Sequence, residues 1–387
     1  MSHVDEEASL LKFRDEFPTL ATSVHLISHS LGAAPRRARQ HIEQFLEQWE
    51  QQSIEAWHDW LPYVNEIGNV IADVIGVPHD TVVMSQNCST VQAAVASGLE
   101  FSGPRRKVVY SALNFSTVHY VWQETQRRGA ELCVVPGGDG IHAPMDALIE
   151  AIDERTLIVP ISHVLFRSSA IKDIPRIVER AHKVGAMVFV DCYQSAGTIP
   201  LKLADWDVDL ACGGSVKWAC GGPGAAYLYV KPSLLDRFRP MNTGWFAHEE
   251  PFAFDMGPMR YAKNAWRMLG GTPAIPALYS ARAGWEIIRE IGVEKIRRKS
   301  LRQTALLREL CEKQGFQINT PREDAQRGGT ICFSFPGDGA VSKALLDRRF
   351  FHDYRPACGL RASPHFYTTD EELRAFVDEV GRARKTL

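Results

Sequence analysis

Two residues near the middle of the chain have types and settings suited to chemistry. Lys217 lies in "GGSVKWACGGPG", between two glycine clusters and just past a strand-like run. Glycine lets backbone approach closely and take positive φ without strain, so the frame can hold a lysine in place. A Gly-rich turn is also an ordinary loop, and the stretch alone leaves both readings open. Upstream, "AMVFVDCYQSAG" ends an apolar run on Asp191, at the carboxyl end of a strand, where open α/β sheets bind ligands. An aspartate that contacts a pyridinium nitrogen and a lysine that forms a Schiff base are the polar minimum for pyridoxal phosphate. The carboxylate keeps the ring protonated, and the ring then accepts electrons released at a substrate Cα. Alone, an Asp at a strand end reads as a helix cap; beside Lys217 the chemical reading is the better one.

Such a cofactor also needs a phosphate site and a platform for its ring. "VVMSQNCSTVQAAVASG" reads as strand, polar turn and helix, with Cys88, Ser89 and Thr90 at the helix start. Free amides and the helix dipole favour an anion there, although the same residues also suit an ordinary N-cap. "ALNFSTVHY" places Phe115 after another strand, where an aromatic can lie over a ring or simply join the core.

The elements that must position these groups are legible as alternation. Strand candidates are "TVVMS", "RKVVYS", "ELCVVP", "LIVPIS", "AMVFVD", "VDLACGG" and "AAYLYV". Helix-like stretches such as "TVHYVWQETQRRG", "PMDALIEAIDERT" and "DIPRIVERAHKVG" separate several of them. Continuous apolar runs alternating with helices predict a largely parallel sheet covered on both faces, an α/β core. Beyond about residue 277 a long helix, "GGTICFSFP", "GAVSKALLDRRF" and "GLRASPHFY" predict a smaller α+β unit. Its last helix opens on a Thr369/Glu372 capping box. The chain thus divides into an N-terminal segment (1–45) packing on the small domain, a large domain (46–276) and a small domain (277–387).

With 387 residues and a net charge of −2, the chain has the size of two domains and no basic field for nucleic acid. The start, "MSHVDEEASLLKFRDEF", has no basic n-region or apolar core, and no run has the length of a membrane span. A cytoplasmic protein is expected. The eight cysteines form no C-x-x-C pair. No metal site is expected.

In eight ordered fragments the sequence resembles the class V aminotransferase superfamily of fold-type I pyridoxal phosphate enzymes, and within it the kynureninase-like branch. The fragments are "SLGAAP", "NFST" at Asn114, "SHVLFRSS" at Ser162, "DCYQSAG" at Asp191, "SVKWACGGPGA" around Lys217, "GWFAH" at Gly244, "GGTP" at Gly270 and "LRASPHFY" at Arg361. The resemblance implies pyridoxal 5'-phosphate bound through Lys217, with Asp191 on the ring nitrogen, Gln194 on the ring hydroxyl oxygen and Phe115 stacked on the ring. It further implies that Cys88 and Ser89 cradle the phosphate mainly through backbone. The resemblance implies as well that Trp245 and Thr272 would complete that site, Thr272 from the neighbouring subunit of a homodimer. Arg361 would grip the α-carboxylate of an amino-acid substrate, with His163 either beside it or purely structural. Two positions depart from the kynureninase pattern. Val118 stands in place of an Asp after the stacking Phe, and Val216 in place of a Tyr before the lysine. A kynureninase-like lyase or hydrolase of an amino-acid side chain is expected, with an aminotransferase, a C–S lyase or an epimerase as alternatives. Tyr193, His119 and His248 are the candidates for the missing acid. A desulfurase needs a nucleophilic thiol on a mobile loop, and Cys358 is the one cysteine near Arg361.

Overall fold

The computed structural model describes residues 3–386, with side chains from residue 6. Thirteen strands follow in order: β1 (Val24–His25), β2 (Val82–Ser85), β3 (Lys107–Ser111), β4 (Glu131–Val135), β5 (Thr156–Ser162), β6 (Met187–Asp191), β7 (Leu210–Gly214), β8 (Ala226–Val230), β9 (Gln317–Ile318), β10 (Ile331–Ser334), β11 (Phe350–Phe351), β12 (Asp353–Arg355) and β13 (Gly359–Ala362). The seven strands expected from apolar runs are β2 to β8. They form one sheet in the order β2-β8-β7-β6-β5-β3-β4. Every pair from β7 to β4 is parallel, while β8 runs antiparallel to both neighbours.

These strands read as unbroken apolar runs because both faces of the sheet are covered. Along β6, Val188 and Val190 join one core cluster, which includes residues of helices Trp57–Ile75, Ile174–Lys183 and Ile275–Ile291. Met187 and Phe189 face the opposite cluster, with residues of helices Cys88–Ser97 and Ser116–Glu124. Successive side chains of a strand point to opposite faces, so a doubly covered sheet demands apolar residues at every position.

The small unit is a four-stranded antiparallel sheet, β12-β13-β10-β9. Its core gathers Leu307, Phe316, Phe333, Leu360 and Phe376, and Leu26 from the N-terminal segment. That segment is tied in by β1, which pairs in parallel with β11. The helices Arg36–Gln52 and Ile275–Ile291 run through residues 45 and 276. The Thr369/Glu372 capping box is formed: the Thr369 amide donates to Glu372 at 2.8 Å, and the Glu372 amide to Thr369 Oγ1 at 3.2 Å. No helix among the described residues is long and apolar enough to cross a membrane.

Candidate active site

Asp191 ends β6 and Ser162 ends β5, both at the carboxyl edge of the parallel strands. The loops that leave this edge enclose a cavity of about 260 Å³, lined by Cys88, Ser89, Phe115, Asp191, Gln194 and Lys217 together with Asn87, Thr117, Ser162, Val164, Phe166 and Tyr193. Six of the ten residues expected from the sequence therefore meet in one place.

Lys217 is held by its backbone neighbours. The Gly32 amide donates to the Val216 carbonyl at 2.8 Å, and a Cβ on Gly32 would overlap the Lys217 carbonyl oxygen and stand 2.8 Å from Cys220 Cα. Inside the quoted run, a Cβ on Gly214 would overlap the Tyr193 hydroxyl. Both glycines serve close approach of neighbouring groups. The Lys217 ammonium lies 4.5 Å from the Tyr193 ring centroid and 5.7 Å from that of Phe115. Burial lowers its pKa to about 8, with Asp191 pulling the other way. Asp191 accepts the Tyr193 amide at 2.9 Å. Burial raises its pKa, and the Tyr193 amide, Lys217 and Lys172 oppose that rise.

At the other end, the helix Cys88–Ser97 is N-capped by Asn87, whose side chain accepts the Thr90 amide at 2.9 Å. The first amides of a helix have no intrahelical acceptor. With Thr90 satisfied by the cap, Cys88 and Ser89 are left to face an anion. The Ser89 and Thr117 hydroxyls lie 3.1 Å apart beside them. Gln194 donates from Nε2 to the His29 carbonyl at 3.0 Å and accepts from the Trp218 indole at 3.2 Å; its second amide hydrogen is free. Ser162 Oγ is buried and unpartnered on the cavity wall. An anion cradle, a lysine between two aromatic rings and a buried carboxylate in one cavity fit a phosphorylated, protonatable ring bearing an aldehyde.

Four expected residues lie elsewhere. Arg361, on β13, donates through Nη1 to the carbonyl of Phe166 and through Nη2 to the carboxylate of Asp353 on β12. It sits behind the cavity wall, and its fork is occupied by this chain's own oxygens. His163 does not reach the cavity. Its ring packs edge-on to Trp206 at 5.7 Å, and burial takes its pKa down to about 3. β5 ends at Ser162 and the chain bends at His163 before Val164 bridges to Ile171, and this bend turns the ring away from the cavity that Ser162 and Val164 line. Thr272 is exposed and Trp245 is 38% exposed. Neither lines the cavity; Thr272 lines a separate pocket with Gln86, Asn242 and Gly270.

Among the acid candidates, Tyr193 lines the cavity and burial raises its pKa, keeping the phenol protonated. The His119 ring contacts the Tyr110 hydroxyl at 2.8 Å, and His248 Nδ1 accepts the Glu250 amide at 3.0 Å; neither lines the cavity. Cys358 is buried and donates to the Arg167 carbonyl at 2.9 Å. The Cys332 thiol beside it, followed by burial, pushes its pKa up, against the needs of a mobile thiolate nucleophile. Cys88, Asp191 and Cys212 bring their ligating atoms within 4.8 Å of one another. Burial raises both thiol pKa values, which opposes the thiolate form that a metal requires.

The sequence reading missed Lys172. It is 1% exposed and donates to the Ser162 carbonyl at 2.9 Å and Asn114 Oδ1 at 3.4 Å. Burial lowers its pKa to about 7, and Asp191 acts in the opposite direction. Nothing in "AIKDIP" marks it, because its setting is made by β5 and the loop after β3.

The family described as aminotransferase class-V matches residues 24–376. The chain belongs to the class-V aminotransferase family. A relative named as an uncharacterized aminotransferase, YcbU of Bacillus subtilis (strain 168), is 30% identical over 387 residues and covers all of both chains. The kynureninase of Bacillus mycoides (strain KBAB4) is 31% identical over 98% of this chain and 93% of its own. In fold, the chain matches a C-DES mutant with glycine covalently linked to its PLP cofactor, with a TM-score of 0.87 and 19% identity over 95% of this chain and 98% of that one. The fold is thus that of the fold-type I enzymes, and the cofactor of this class-V protein is pyridoxal 5'-phosphate.

Proposed function

We propose that this class-V protein acts on an α-amino acid as a kynureninase-like lyase or hydrolase of the side chain, with Lys217 as the amine that bonds the cofactor. When bound, the cofactor supplies an electron sink for charge released at the substrate Cα. The chain's own groups do the rest. Lys217, with a pKa near 8, has an amine poised to take and return the Cα proton near neutral pH. Asp191 holds the ring nitrogen, Phe115 covers the ring, Gln194 faces its hydroxyl oxygen, and the Cys88 and Ser89 amides hold the phosphate. Arg361 takes the substrate α-carboxylate through Nε, the donor that Asp353 and the Phe166 carbonyl leave free. The observation that carries the lyase reading is Tyr193, a protonated phenol in the cavity beside Lys217. It can give a proton to a departing side-chain carbon where Val216 cannot.

We further propose a homodimer with shared sites. Phe252 and Phe254, 58% and 71% exposed, pack on the Trp245 ring with centroids 5.5 and 6.1 Å away, an apolar surface suited to a partner. A second copy would bring Thr272 to the phosphate.

Incubation with L-kynurenine and its 3-hydroxy form should release alanine with anthranilate or its 3-hydroxy counterpart. No such products, with 2-oxoacid-dependent amino transfer instead, would overturn this reading in favour of the aminotransferase. That second reading is favoured by the apolar Val118 and Val216, since transamination needs only Lys217, Asp191 and Arg361.

A further inference from the structure

The N-terminal segment places one more buried polar side chain behind the cavity wall, next to the Asp353 carboxylate that Arg361 holds. His29 is 2% exposed, and its carbonyl accepts from Gln194, a cavity-lining residue. On the neighbouring side, Arg361 donates to the carbonyl of Phe166, whose residue lines the same cavity. His29 lies close enough to Arg361 and Lys217 that both depress its pKa, behind the larger effect of burial. Asp353 links the two groups: its Oδ2 accepts from Arg361 Nη2 and stands 3.7 Å from His29 Nε2. The other oxygen, Oδ1, takes Arg355 Nη1 at 3.0 Å and the Tyr354 amide at 2.8 Å.

Two donors are left over. Arg361 Nε and His29 Nε2 are both buried and unpartnered. Arg361 Nε always carries a hydrogen. His29 Nδ1 lies 2.7 Å from Ser363 Oγ, a hydroxyl that also reaches the Leu26 carbonyl at 3.1 Å and accepts the His29 amide at 3.2 Å, so it can either donate to Nδ1 or accept from it. The Asp353 carboxylate, 3.7 Å from Nε2, favours the tautomer with the hydrogen on Nε2, because a lone pair turned toward a carboxylate is repelled. Burial keeps the ring uncharged. Buried donors without acceptors are uncommon in native proteins, and two of them beside one cavity suit the two oxygens of a carboxylate.

We propose that His29 is a specificity-determining residue for the substrate α-carboxylate, donating from Nε2 to one oxygen while Arg361 donates from Nε to the other. Asp353 and the Phe166 carbonyl occupy the two Nη groups and so leave Nε as the free donor. The proposal rests on the reading of Arg361 as the carboxylate residue and adds a partner to it.

The test uses two stable adducts on the full chain freed of cofactor: phosphopyridoxyl-L-alanine, and phosphopyridoxyl-ethylamine, which lacks the carboxylate. The wild-type protein should bind the first more tightly. His29→Leu should lose roughly tenfold of that preference, the scale of one hydrogen bond to a charged group, while its affinity for the ethylamine adduct stays unchanged. His29→Asn, which keeps a donor, should recover part of the loss. A wild type without preference overturns the Arg361 reading itself. A preference lost in Arg361→Leu but intact in His29→Leu overturns the His29 proposal alone. If His29→Leu fails to bind the ethylamine adduct, the unsubstituted protein decides. Its ¹⁵N-labelled His29 Nε2 resonance should move with the alanine adduct and not with the ethylamine one; equal shifts with both overturn the proposal.

Discussion

The backbone of Gly32 rests on the backbone of Lys217 so closely that residue 32 has no room for a Cβ. The N-terminal segment thereby sets the lysine's position, although the two residues are far apart in sequence. Gly32→Ala should push the Val216–Lys217 segment aside. Overpacking of this kind costs about 1–3 kcal/mol. Thermal unfolding of the variant should occur at lower temperature, and the cofactor content of the purified protein, read by absorbance, should fall with it.

Lys172 should make stability depend on pH. Its amine ordinarily titrates at 10.5 and here titrates at about 7. Between those values the unfolded chain holds a proton that the folded chain does not, so stability rises with pH across the window. Below about 7 both states are protonated and the penalty of the buried charge is fully present. Lys172→Met should remove this slope. Denaturant unfolding of both proteins from pH 6 to 10 should show wild type gaining on the variant as pH rises.

Arg361 and Asp353 should be coupled. Arg361→Leu leaves the buried Asp353 carboxylate short of a partner, and breaking a buried pair costs about 3–5 kcal/mol. The Asp353→Leu/Arg361→Leu double variant should be less destabilised than the sum of the singles. A double-mutant cycle by denaturant unfolding measures this directly.

Sedimentation at assay concentration should give twice the 43.3 kDa chain mass. Phe254→Asp, on the exposed aromatic surface, should shift the protein toward monomer and lower phosphate-dependent cofactor retention.

The strands of the large sheet were readable because doubly buried strands must be apolar throughout, and their ends then located Asp191 and Lys217. The capping box was readable because it is local. His163 stayed open between a carboxylate neighbour and a structural histidine because a motif does not say which way a side chain turns; the chain bends there, just past the end of β5, and the ring packs on Trp206. Arg361 is marked by its motif, but its place behind the cavity wall and its pairing with Asp353 depend on the register of β12 with β13. His29 and Lys172 carry no local mark. Their burial is created by segments distant in sequence. Trp245 and Thr272 stand apart from the cavity of their own chain, and a shared site would draw on surfaces that a single sequence does not bring together.

Lys217, and no other amine, should bond the cofactor. The chain has a second buried lysine near the same carboxylate, Lys172, with an even lower pKa, so the choice between them is a real one. Borohydride reduction of the cofactor-loaded protein followed by peptide mapping decides it. The pyridoxyl group should sit on the peptide containing Lys217 and be lost in Lys217→Ala. The group on Lys172, or on no lysine at all, would contradict it.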